Sequence, residues 1–340
     1  MRRLAILALL AACDRSEPAT LGSSTLVGDG GSTTRPSDAA VESSTTNDAS
    51  TGGELVAGGE HRPSLLRAST STFVWVRDDP ADAAVVQGAP GSAPQVLTKG
   101  LSGVEAMRVD DAHAWVLAQG GLRAVALDGS GSTTVLAIAS PSPVRDLALG
   151  ASYVFYTEGP NGKLKRVPKA GGASDVVATG LVGPTSIAVD EPSAWVVESG
   201  ESGALVAIAL GTGTTTVIAS NLREPHDVAV NDDAVFWIES GTFDPQSQKT
   251  TGAGVMTQKR GGGPTSVLAP TEGANHLHVT GSWVYFTAGT SVLRVPAAGG
   301  ALEILASGVA DPSGVVTQGG WVAWANRGTG DDGSVRRRTE

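Results

Sequence analysis

The chain contains one cysteine, Cys13, in 340 residues, so it can form no internal disulfide. Blocks of positive charge are missing as well. Lys and Arg number 24 against 34 Asp and Glu, and the net charge of −10 argues against a nucleic acid partner. The apolar run from Leu4 to Leu10 is far shorter than the roughly 20 residues that a membrane-spanning helix needs. Helical apolar stripes are absent too, because Gly and Pro interrupt them, which excludes stacked helical repeats. Catalytic signatures are equally scarce: there is no GxSxG elbow, HExxH, Walker loop or nucleophilic cysteine. No cofactor is expected. What abounds is glycine, at 45 residues, with frequent Ser and Thr, a composition suited to many tight turns.

The start, MRRLAILALLAACDRS, sets Arg2 and Arg3 before the short apolar run and Cys13 just after it. It resembles a bacterial lipoprotein signal. The resemblance implies removal of residues 1–12 and acylation of Cys13, which would hold the chain at the cell envelope through lipid alone, facing periplasm or surface. Residues 14–53 are rich in Ser, Thr, Gly and Asp and carry scarcely any large apolar side chain, so they suit a disordered tether. The expected organisation is thus residues 1–12, residues 13–53 and a folded region from Glu54 to Glu340.

Within the folded region a five-residue text recurs: FVWVR at Phe73, AWVLA at Ala114, VFYTE at Val154, AWVVE at Ala194, VFWIE at Val235, VYFTA at Val284 and VAWAN at Val322. Successive starts lie 41, 40, 40, 41, 49 and 38 residues apart, and all seven tryptophans fall in or just before these runs. The long interval contains GTFDPQSQKTTGAG, read as a polar loop. Before each run comes a short strand such as SIAVD or DVAVN, and after it an LKRVP-like strand, a glycine turn and a DVVATGL-like strand. Four short strands per roughly forty residues make the blade of a β-propeller, and seven runs predict seven blades. The tryptophans sit at the second place of some runs and the third of others. Those places face opposite sides of a strand, so each blade needs a neighbour on both sides.

After VAWAN the sequence supplies one more strand text, GSVRRRTE, which leaves the last blade a strand short. The folded region opens with GELVAGG, which matches the outer-strand text LEILASG. Glu54 to Ala57 are therefore expected to complete the last blade and close the ring. The basic SVRRRTE suits an outer edge facing water.

The repeats resemble those of YWTD- and NHL-like propellers and of bacterial lipoprotein propellers with RVPxxGG text. That resemblance implies the fold and leaves the activity open. Departures from the repeat point to candidate sites. Glu158, Glu198 and Glu239 end the runs of three consecutive blades, and the interblade loops add Arg145, Asp146, Glu224, His226, Asp227, Asn275 and His276. Solvated turns and an acidic funnel for a cationic or peptide ligand both suit this set. The ligand-binding candidates are Glu158, Glu198, Glu239, His226, Asp227, Asn275 and His276. His276 and His278 flank Leu277 on an inner strand, but spacing supplies no third ligand, so no metal is expected.

The stretch REPHDVAVNDDAVFWIE, Arg223 to Glu239, resembles blade text of virginiamycin B lyase-type propellers. That resemblance implies His226 and Glu239 as catalytic candidates beside a bound magnesium, with proton abstraction next to an ester. The family needs a second His, and this chain has Thr185 and Asn275 at the equivalent places. The main expectation is accordingly a monomeric, non-enzymatic binding or scaffold module for an envelope protein or peptide, with the lyase as the alternative.

Overall fold

In the computed structural model, residues 52–79, 82–138, 144–199 and 202–340 are described. The expected signal segment, Cys13 and the expected tether as far as residue 51 lie outside them. Among the described residues, short antiparallel strands assemble into seven four-stranded sheets, the blades of a β-propeller. Blade 1 runs outward through Pro63–Ala68, Phe73–Arg77, Ala83–Gly88 and Gln95–Leu101. Blades 2, 3 and 4 span 106–137, 144–179 and 184–222, and blades 5 and 6 span 225–269 and 274–306. Blade 7 is built from Pro312–Gln318, Trp321–Asn326, Gly333–Thr339 and, outermost, Glu54–Glu60.

The two-faced packing follows from the alternation within each aromatic run. Phe73 and Trp75 pack against Val316 and Ala323 of blade 7. Their neighbours Val74 and Val76 point the other way, against Met107 and Val116 of blade 2. The same holds at the junctions that join Trp115 to Tyr156, Trp195 to Trp237 and Tyr285 to Trp324. Each blade thus donates one set of apolar groups to either side. Burial of one such large side chain contributes roughly 2–3 kcal/mol.

The predicted seam is present and longer than expected. Glu54–Glu60 pairs antiparallel with Gly333–Thr339, setting Glu54 opposite Arg337 and Glu60 opposite Gly333. At its far end the Glu60 carboxylate, 1% exposed, accepts from Trp75 Nε1 at 2.8 Å and from Arg77 Nε and Nη2 at 2.6 and 2.8 Å. The strand that completes blade 7 is therefore bolted to blade 1.

The basic RVP text of the third strands is explained by the strand before it. Arg166 lies over Tyr153 at 4.5 Å, Arg294 over Trp283 at 4.1 Å and Arg337 over Trp321 at 3.8 Å. In each case the register places the arginine diagonally across from an aromatic that precedes the run, the geometry of a cross-strand cation–π pair. This corrects the expectation for SVRRRTE. The segment is paired on both sides rather than an edge, and Arg337 also binds Glu54 at 3.0 Å. The GTFDPQSQKTTGAG segment, expected as a plain loop, contains a small hairpin of Thr242–Asp244 and Lys249–Thr251.

Candidate functional site: the central channel

The innermost strand of most blades begins paired to its neighbour, breaks register, then resumes, as between Pro184 and Ile187 or Asn275 and His278. In blades 1, 5 and 6 the break holds one non-glycine residue in a left-handed conformation. Leu65, Asp227 and His276 have φ of 50°, 47° and 55°. Non-glycine residues there store about 1–3 kcal/mol each, and such strain collects where side chains must be aimed. All three line a central cavity of about 610 Å³ bounded by the inner strands.

Among the polar side chains that line it are Arg67, Arg108, Asp146, Asp227, His276 and His278. Asp146 knits three blades together. It accepts from Arg108 Nη2 at 2.9 and 3.1 Å, from its neighbour Leu147 N at 2.8 Å, and from Ile187 N and Ser186 Oγ at 3.1 and 3.3 Å. Burial holds its carboxyl above the usual range, against the pull of Arg108 and the backbone amides. Arg67 donates to the Leu66 carbonyl at 2.8 Å and, among the described residues, has no carboxylate partner. Enclosure and the neighbouring Arg108 cation bring it down to about 9, while Asp146 and Asp227 pull it upward. It stays cationic at neutral pH. Asp227 accepts from Leu277 N through Oδ2 at 3.2 Å and likewise makes no ion pair among the described residues.

His278 Nε2 accepts from Thr317 N at 3.3 Å and lies 2.9 Å from Thr317 Oγ1, an arrangement of the neutral ring. Burial, with help from Arg67, depresses it from 6.5 to about 4, and burial lowers His276 too. A histidine whose folded value is depressed contributes stability that is complete above the ordinary value and is lost as pH falls through the folded one. Acidification from about pH 7 to about pH 4 should thus remove on the order of 3 kcal/mol through His278. Thermal unfolding of wild type and His278→Gln across that range tests this. The variant's midpoint is expected to fall less, and parallel pH slopes would refute it.

The candidates read from the runs fare differently. Glu158, Glu198 and Glu239 do not line an open funnel; they are 8%, 8% and 4% exposed. Glu158 binds Lys165 and Asn161, both at 3.1 Å. Glu198 accepts from Val182 N at 2.9 Å, and Glu239 from Arg223 N at 3.1 Å and Trp237 Nε1 at 3.3 Å. Val182 and Arg223 lie in loops that lead into blades 4 and 5, so these two carboxylates tie those loops to the blades through their amides. Asn275 is exposed and its Oδ1 accepts from the next amide, at 3.3 Å. His226, Asp227 and His276 do line the channel. His226 lies near Ala274 O and Ser240 Oγ, both at 3.3 Å, while the Glu239 oxygens face Arg223 and Trp237. His226 and Glu239 share no hydrogen bond or ion pair among the described residues, and no three His, Cys, Asp or Glu side chains there gather to hold a metal.

No protein-family model matches the chain, and no curated protein matches it. Solved structures do. Virginiamycin B lyase from Staphylococcus aureus superposes with a TM-score of 0.62 at 14% identity, over 84% of this chain and 97% of that one. An oligogalacturonate lyase in complex with manganese gives 0.62 at 14%, over 87% and 95%. BamB from Moraxella catarrhalis gives 0.51 at 16%, over 79% and 80%. What the chain shares with them is its fold. Similarity at this level leaves the chemistry to the site itself.

Arg67 and Arg108 are the site residues that motif reading missed, although the repeat carried a signal for both. Opposite the second place of the aromatic run, blades 3, 4 and 5 have Ala148, Ala188 and Ala229. Blades 1, 2 and 6 have Arg67, Arg108 and His278 there. Small residues leave the channel open on one side, and long polar ones reach in from the other.

Proposed function

We propose that this protein is a non-enzymatic binding propeller of the cell envelope, leashed through an acylated Cys13, which takes a small solute or the end of a peptide in its central channel. The observation that carries this reading is the convergence of Arg67, Asp227, His276 and His278 on one cavity, with Arg67 and Asp227 left without ion-pair partners among the described residues. Such a cavity, with few and well-aimed polar groups, suits a ligand site. The buried run-ending glutamates give little support to a surface field, and the commitment of the Glu239 oxygens to Arg223 and Trp237 rather than His226 favours binding over the lyase alternative.

Hydrogen–deuterium exchange of the full chain, with and without a low-molecular-weight extract of the producing cells, tests the proposal. Added protection should be confined to the inner strands and disappear in Ala229→Trp, which fills the open side of the channel. Protection on outer strands only, none at all, or the same protection in the filled variant would refute it.

A further inference from the structure

The formal charges lining the channel balance. Arg67, Arg108 and Arg145 stand against Glu105, Asp146 and Asp227. One of these couples is already matched. Arg108 holds Asp146 at 2.9 Å, whereas Arg145 and Glu105 make no ion pair among the described residues, and burial, against the pull of the Arg145 charge, holds the Glu105 carboxyl above its usual range. The remaining couple is split across the ring. Arg67 comes from blade 1 and Asp227 from blade 5, and each lacks an ion-pair partner among the described residues, yet each lies within the other's field. The Asp227 Oδ1 atom makes no hydrogen bond among the described residues. The backbone on either side of the couple is strained into aiming it, since Leu65, two residues before Arg67, and Asp227 itself are both left-handed.

We propose that this split couple receives a zwitterion of amino-acid size, its carboxylate on the Arg67 guanidinium and its ammonium on the Asp227 carboxylate. The inference deepens the channel-binding reading and rests on it. A bare anion would have to approach a chain of net charge −10, and a bare cation would meet three guanidinium groups inside. A molecule bearing both charges meets neither penalty and supplies each half-buried ion with its missing partner. The planar fork of arginine suits a carboxylate bidentately. The neutral rings of His276 and His278 add hydrogen-bonding edges without upsetting the balance.

Calorimetric titration of the full chain with glycine, γ-aminobutyrate and glycylglycine, against acetate and methylammonium, tests this. At least one zwitterion is expected to bind about tenfold or more tighter than either single-charge probe. Arg67→Met and Asp227→Asn should each weaken it by about tenfold or more, and Arg67→Lys by less, since it keeps the charge and loses the fork. Asparagine retains an acceptor for the Leu277 amide, so Asp227→Asn separates loss of charge from loss of fold. The wild-type comparison decides the matter even where a variant does not fold. Equal binding of acetate or methylammonium, indifference of binding to both substitutions in folded variants, or no binding by any zwitterion would overturn it. If the zwitterions fail while extract still protects the inner strands, this inference alone falls. If both fail, the channel-binding reading falls with it.

Discussion

Glu60→Ala should destabilise the propeller by about 3 kcal/mol, an effect out of proportion to one side chain at the end of an outer strand. Removing one partner from a buried ion pair costs about 3–5 kcal/mol. The lower end applies because Arg77 is 30% exposed and water can reach it, whereas Glu60 is 2% exposed. The Trp75 indole N–H is also left buried without its acceptor. For a domain of this size the midpoint of thermal unfolding should fall by roughly 6–12 °C. Glu60→Gln should lie between, since it retains an acceptor for Trp75 and loses the charge that matches Arg77. The consequence is topological as well. Glu60 ends the strand that completes blade 7 and is held by blade 1, so its loss weakens the one junction that joins the two ends of the folded region. An unfolding midpoint within about 2 °C of wild type would show that the seam is held by strand pairing alone.

Trp237→Ala should cost about 3–5 kcal/mol, the range for deleting a large aromatic from a packed core. Trp237 is fully buried between blades 4 and 5, against Trp195, Leu205 and Val228. Its indole also donates to Glu239, whose other oxygen holds the Arg223 amide of the loop into blade 5. The substitution therefore opens a cavity and slackens the loop beside His226. Trp237→Phe, which keeps most of the apolar volume, should cost less than half as much. The test is denaturant unfolding followed by circular dichroism. Equal costs for the two variants would mean that the Glu239 bond, rather than the interblade packing, holds this junction.

Much of the architecture was legible from the repeat. The spacing of the aromatic runs predicts seven blades, and the alternation of Phe73 and Trp75 with Val74 and Val76 predicts the two packing faces, because strand geometry has a period of two. The match between GELVAGG and LEILASG marks the seam. The site was only partially legible. His226, Asp227 and His276 stood out as departures in the interblade text, and all three reach the channel. Glu158, Glu198 and Glu239 stood out equally and are buried in service of the fold. A carboxylate at the end of a run looks the same in sequence whether it faces water or a neighbouring loop amide.

What the sequence by itself determined is whatever depends on local period and on repetition: strand length, turn position, blade number and the strand that completes the ring. What only the tertiary structure decided is which distant charges meet and which already have partners. Arg67 and Asp227 are 160 positions apart, and their chain neighbours carry no mark of their meeting. They share a channel because closing the ring brings every innermost strand to one axis, and charges interact through space without regard to their order along the chain.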